Sequence, residues 1–217
     1  MLFRSRLLDY LIEHPQPQLE FNINSNLDVP VELMDRFIEK MKTIQEKKAV
    51  KSFKLYTSNE AHGKHAEYIR FGLNYDRWLN NCHRILGEIP DSNLTVMAAF
   101  NVLSIVSFKK MMDDIIAMKW KYTQQPIRKH PVSLDVPFIR WPPFLAPWII
   151  SHDFLSKVED IVTHMYLNLH QINWPPLCGK GFFDYEVNRF ERLFYVIRDE
   201  LIALGNDSEK LNNLRAQ

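Results

Sequence analysis

Cysteine is nearly absent from this 217-residue chain, which has only Cys82 and Cys178. They lie far apart and form no CxxC or CxxxCxxC unit. The chain alone therefore lacks the clustered thiolates that an iron–sulfur cluster takes. Each reads as a buried or half-buried thiol behaving as a small hydrophobe. Glycine is also scarce: six in the whole chain argue against the phosphate-cradling turns of dinucleotide folds. Neither sign of charge dominates. With 27 basic and 26 acidic side chains, for a net +1, nothing suggests a nucleic-acid surface. No run approaches the roughly 20 apolar residues that cross a bilayer. The basic start, Met1 to Arg6, is soon interrupted by Asp9, Glu13 and His14, which leaves no signal-peptide core. The expected location is the cytoplasm, with no membrane partner. Low-complexity tracts and internal repeats are missing too.

A hydrophobic fraction of 46% beside a charged fraction of 24% leaves ample material for a core. Met1 to Glu13 reads as an amphipathic helix stopped by Pro15 and Pro17. Leu19 to Ile23 alternates apolar and polar, as a strand does, and the Asn24-Ser25-Asn26 turn ends it. From Val31 onward, Leu33, Met34, Phe37, Ile38 and Met41 recur at helical spacing behind Pro30. The rhythm then repeats. Lys51 to Thr57 predicts a strand, and Tyr75 to Leu86 a helix with Asn74 as N-cap. Leu94 to Phe100 and Val132 to Val136 predict two further strands, with a helix from Ser107 to Lys119 between them. Connections of this length imply parallel strands.

After the fourth strand comes an aromatic, proline-rich loop, Trp141-Pro142-Pro143-Phe144 with Pro147-Trp148, whose tryptophans read as packing lids. Two helices follow, Asp153 to Leu169 and Phe183 to Leu204. Between them lies Trp174 to Gly181, where Gly179-Lys180-Gly181 reads as a turn. The expected fold class is α/β: a partial (βα) barrel of about four parallel strands with crossover helices over 1–150, and a C-terminal helical extension over 151–217.

In a parallel sheet or barrel, functional groups collect at the carboxyl ends of the strands. That rule selects Asn24-Ser25-Asn26, Thr57-Ser58-Asn59-Glu60 with the segment to Arg70, Asn101 with Ser104, and Asp135 to Arg140. These groups are short hydrogen bonders without nucleophile–base pairs, which suits holding a polar cofactor. Each also has a plainer reading. Asn24 and Asn26 are good turn formers, and Ser58 and Asn59 can close a strand-end turn. Arg70 can pair with Glu67 or Asp76. His62 and His65 lack a third metal ligand at matching spacing, so the segment reads as a solvated loop. Asp184, Glu186, Arg189, Glu191 and Arg192 can pair across helix turns, worth a few tenths of a kcal/mol per pair.

The series Tyr56-Thr57-Ser58-Asn59-Glu60, Ala66-Glu67-Tyr68-Ile69-Arg70-Phe71-Gly72 and Tyr75-Asp76 to Leu79-Asn80-Asn81 resembles a segment of radical S-adenosylmethionine (SAM) enzymes with SPASM or twitch extensions. That family runs S-L-D-G, then H-D-x-x-R-G, then F-D-x-x-L-x-N-I. Asn24-Ser25-Asn26 sits where the family has a T-N-G turn after its third strand. Thr95 to Asn101 and Val132 to Pro137 look like its fifth and sixth strands. The resemblance spans roughly Leu19 to Trp148. It departs from the pattern at Asn59-Glu60, which replaces Asp-Gly, and at Asn26, which replaces Gly. It also offers no counterpart to the cysteine loop or the Gly-Gly-Glu of the earlier strands.

This resemblance implies S-adenosylmethionine as cofactor. Ser58 and Glu60 would lie at the ribose, Arg70 at the carboxylate, Asn101 facing the cofactor, and the backbone of 136–138 near the adenine. Asn24, Asn26 and Asp135 complete the implied rim. It implies a 4Fe-4S cluster only if a partner chain supplies the cysteines. The implied partners are a second polypeptide completing the barrel, or a homo-oligomer through an open sheet edge with Leu19, Phe21 and Ile23 on it. The implied substrate is a peptide or protein. The implied function is part of a SAM-dependent radical enzyme that is not competent alone. The alternative is a non-catalytic SAM- or adenosine-binding or partner-binding scaffold.

Overall fold

Every strand of the sheet runs in the same direction, and the strands lie side by side in chain order. The structure, a computed structural model, describes residues 2–123, 131–169, 180–205 and 213. Strands β1 (Gln16–Asn24), β2 (Val50–Ser58), β3 (Asn93–Met97) and β4 (Val132–Asp135) form one parallel sheet in the order β1-β2-β3-β4. Helices α1 (Leu2–Glu13), α2 (Val31–Glu46), α3 (Gly63–Ile69), α4 (Tyr75–Glu88) and α5 (Phe108–Tyr122) alternate with the strands. Two 3-10 turns, Pro143–Leu145 and Pro147–Ile149, lead to α6 (His152–Leu167) and α7 (Asp184–Gly205). Sequential order without reversal is the pattern of a barrel segment, since a doubly wound sheet has a switch point. The chain is therefore α/β, with a partial barrel-like sheet and C-terminal helices.

One face of the sheet carries the core. Phe21 and Ile23, then Phe53, Leu55 and Thr57, then Leu94 and Val96, then Val132 and Leu134 are buried there. On α2, Met34, Ile38, Met41 and Ile44 form the inward stripe, at the spacing a helix needs to present one face. Phe37 lies 6.2 Å from Phe53, ring to ring, so α2 covers the start of the sheet. Trp78 of α4 is fully buried and donates its indole N–H to Thr57 Oγ1 at 2.9 Å. Asn74 caps α4 as expected, its Oδ1 accepting from Arg77 N at 2.8 Å. The opposite face is polar. Asn24, Tyr56, Thr95 and Ser133 share one row by register, and Ser58, Met97 and Asp135 share the next. Most of these side chains are exposed or half-buried.

The expected elements appear with shifted ends. The third strand stops at Met97, three residues early, although Ala98 N still bonds Asp135 O at 2.8 Å and Phe100 bridges Phe138. The segment read as a solvated loop at His62 and His65 contains helix α3. Its Ala66 anchors it to the core, one apolar residue being too little for a periodic signal. Of the three apolar residues expected on the edge of the first strand, Phe21 and Ile23 are buried against the helices and Leu19 is exposed. Helix α1 packs chiefly on α2. Of the tryptophans in the proline-rich loop, Trp148 packs against Phe138, but Trp141 is 81% exposed and lids nothing. Cys178 and most of the stretch between α6 and α7 lie outside the described residues.

Two of the charges expected to pair along the C-terminal helix, Glu186 and Arg189, find partners on other elements. Glu186 and Lys119 of α5 form an ion pair at 2.7 Å, both side chains wholly buried. Arg189 reaches Asp135 instead. Glu186 Oε1 also accepts from Leu134 N at 2.6 Å, and its Oε2 from Phe183 N at 2.8 Å. Lys119 Nζ donates to Gly181 O at 3.2 Å and lies 4.2 Å from the Phe183 ring centroid. Burial pushes the Lys119 ammonium pKa down, while the Glu186 charge opposes it. Phe190 of α7 meets Phe100 edge-on at 5.2 Å and stacks on Phe108 at 5.5 Å. Together these contacts bind α7 against β4.

Candidate functional site

A parallel sheet with helices on one face brings all its strand ends to a single rim, where neighbouring strands lie about 4.8 Å apart. The predicted residues Asn24, Ser58 and Asp135 occupy the last positions of their strands, and Asn26 follows β1. Ser58 and Asp135 flank Met97 in one register row.

The turn after β1 is firmly held. Ser25 N bonds Tyr56 O at 2.9 Å, and Ser25 Oγ accepts from Leu27 N at 3.2 Å. Leu27 adopts φ +54°, a left-handed conformation that an L-residue accepts only when surroundings enforce it. Here buried Asn81 of α4 supplies that force, its Nδ2 donating to Leu27 O at 2.7 Å and Val29 O at 3.1 Å. Asp28 then accepts from Asn74 N at 3.0 Å and pairs with Arg77. Asn24 and Asn26 stay exposed on this anchored turn.

Glu60 and Arg70, both predicted from the sequence, meet each other. The guanidinium forks onto the carboxylate through Nε, at 3.1 Å to Oε2, and through Nη2 to Oε1. Glu60 is 4% exposed, while about a third of the Arg70 side chain faces solvent. A bidentate pair of this kind fixes the plane of the guanidinium. Nη1 is not part of the fork. The alternatives Glu67 and Asp76 are not its partners: Glu67 pairs with Lys64 and accepts from Tyr75 N at 3.1 Å.

Between Ser58 and Glu60 sits Asn59, 0% exposed. Its backbone N bonds Met97 O at 3.2 Å, but its carboxamide oxygen and nitrogen both lack a hydrogen-bond partner. A buried amide left unsatisfied costs about 1–3 kcal/mol, and native proteins keep few such groups. This orphaned amide at the rim is the feature that best fits a site built to take a polar ligand or water.

Asn101 and Asp135 are differently placed. Asn101 closes its own turn: Nδ2 donates to Ala99 O at 3.0 Å, Oδ1 accepts from Leu103 N at 3.0 Å, and its N bonds Ser104 Oγ at 3.2 Å. Asp135 is half-buried and paired with Arg189. Both stand on the rim with their side chains already engaged.

Sequence reasoning missed two neighbouring features. Tyr75 donates its hydroxyl to Asp114 Oδ2 at 2.6 Å, with His62 Nε2 3.6 Å from the same oxygen. Burial and that carboxylate push the Tyr75 pKa up. Beside the rim lies an apolar groove of about 560 Å³ lined by Ile69, Val102, Leu103, Val106, Ile150 and Phe154 among others. Its walls come from three separate connections, so no single periodic stretch could signal it.

The residues present do not fit an iron–sulfur cluster. Among the described residues no group of three His, Cys, Asp or Glu side chains could hold a metal. Cys82 is fully buried, and burial raises its thiol pKa. No described helix is long and apolar enough to cross a membrane. Comparison of the chain with protein-family models, curated proteins and solved structures found no match.

Proposed function

We propose that the rim of this sheet binds S-adenosylmethionine as part of a radical SAM-like domain, split or truncated, that is not competent alone. The observation that carries the reading is the Glu60–Arg70 fork beside the orphaned Asn59 amide. A guanidinium fixed by a buried carboxylate, with Nη1 outside the fork, is a prepared receptor for a ligand carboxylate. In this reading Ser58 bonds a ribose hydroxyl, Arg70 orients the amino-acid end, and the backbone of 136–138 borders the adenine. Asn24 and Asn26 flank the site, and Asn101 and Asp135 shape it through their own turn and ion pair. When bound, S-adenosylmethionine supplies the reactive sulfonium; the chain's own residues bind and orient it. A 4Fe-4S cluster would come from a second polypeptide bearing the cysteines, the substrate would be a peptide or protein, and the complex would act in the cytoplasm.

A second reading, a non-catalytic adenosine-binding or partner-binding scaffold, is favoured by the engaged side chains of Asn101 and Asp135. Calorimetry with S-adenosylmethionine separates the readings. Binding that weakens about tenfold or more in Arg70→Ala, as loss of a charge-assisted pair predicts, supports the cofactor site, and Ser58→Ala should weaken it less. Absence of binding would refute the cofactor site and leave the partner scaffold. Cluster reconstitution with iron and sulfide under anaerobic conditions should give no stoichiometric 4Fe-4S absorption; if it does, the need for a partner is wrong.

A further inference from the structure

The backbone pattern shows how differently the sheet ends on its two sides. In a parallel ladder, alternate residues turn both N–H and C=O to the same neighbour. The bond from Ser25 N to Tyr56 O places Phe21 and Ile23 on the β2 side. Glu20, Asn22 and Asn24 therefore point their N–H and C=O groups out of the sheet, where β1 has no neighbour among the described residues. On β4 the same logic turns Leu134 outward, and there Glu186 Oε1 accepts its N–H. Strands can be added at β1, while α7 blocks β4.

The helix layer reaches further than the sheet. Its helices pack in the order α1, α2, α4, α5, α6, and α2 meets β2 through Phe37 and Phe53, whose ring in turn meets Phe21 of β1. Helix α1 is fixed beyond α2 by buried Leu8 and Leu11, by Lys40–Asp9 at 2.6 Å, and by Lys47 Nζ on Ile12 O at 3.3 Å. Packed helices lie about 8–10 Å apart and strands about 4.8 Å, so α1 roofs a width of about two strands past β1. Leu7 and Tyr10 of α1 and Leu19 of β1 are exposed.

We propose that the β1 edge is a strand-addition site for one or two extended segments of another polypeptide, parallel to β1. Backbone donors and acceptors of Glu20, Asn22 and Asn24 supply the complementarity. Apolar side chains of the segment would face α1 and polar ones the polar face of the sheet. A second copy does not fit: joining β1 to its twofold mate would place each α1 where the other copy's α2 lies. The inference does not depend on the cofactor reading.

The test is selection of random peptides of about 12 residues, long enough for one strand, on the 217-residue protein, with affinities measured by fluorescence polarisation. Peptides of alternating pattern should emerge. They should lose about tenfold or more on Asn22→Pro, which deletes one outward N–H, while Asn22→Ala keeps binding and both variants keep the parent melting temperature. No binders, or binders indifferent to Asn22→Pro, would overturn the proposal. A concentration-dependent dimer dissolved by Asn22→Pro would overturn it in favour of a second copy.

Discussion

The two outer strands of the sheet are built to opposite specifications. At β4 the outward N–H of Leu134 is taken by a buried carboxylate whose charge is balanced by Lys119 and whose helix packs Phe190 against Phe100 and Phe108. At β1 the strand is exposed over Gln16 to Glu20, and its nearest ion pair, Lys51–Glu20, is open to solvent on both sides. An exposed edge is a template for another strand unless it is blocked. Among the described residues one edge is blocked and the other has no neighbour, so the proposed strand addition has a single direction. The candidate cofactor rim lies between them, on strand ends that both sides support.

Breaking the closed side should have the largest effect. Lys119→Met strands the Glu186 carboxylate in the core, and removing one partner of a buried pair typically costs about 3–5 kcal/mol. Urea denaturation should show that loss, and Lys119→Met combined with Glu186→Gln should recover part of it. On the open side the largest effect belongs to Asn81→Ala. It leaves the Leu27 and Val29 carbonyls without their donor and should cost about 1–3 kcal/mol. If the turn after β1 helps to build the rim, the same variant should also weaken S-adenosylmethionine binding.

Acid should act on the helices behind the middle and closed parts of the sheet. Burial holds the imidazole pKa values of His83 on α4 and His164 on α6 below their usual 6.5. The folded state then binds fewer protons than the unfolded one as pH falls through 6.5. Stability is thus complete above that value and declines below it. Replacing both histidines with glutamine should flatten the midpoint-versus-pH curve there. The smallest effect is expected at β1's surface: Lys51→Ala should leave the melting midpoint unchanged within error, because exposed pairs contribute little.

Much of this architecture was legible in the sequence because the strand and helix periods are long and alternate cleanly. The stripe Met34, Ile38, Met41 and the N-cap Asn74 fall where the pattern put them. The rim was legible because chain order places every strand end together. What was not legible depends on contacts between distant positions. Glu186 reads as a surface charge on an amphipathic helix until Lys119 and the edge of β4 come to it. Glu60 and Arg70 were each picked out, but not as partners, since a ten-residue separation across a strand end and a short helix carries no period. The isolation of Asn59 appears only once its neighbours are in place.

Amide hydrogen exchange, resolved by residue in the isolated protein, tests the contrast between the edges most directly. The account predicts that Leu134, bonded to the buried Glu186 carboxylate, exchanges only with global unfolding, while Glu20, Asn22 and Asn24 exchange rapidly. Protection of those three amides equal to that of Leu134 would contradict it.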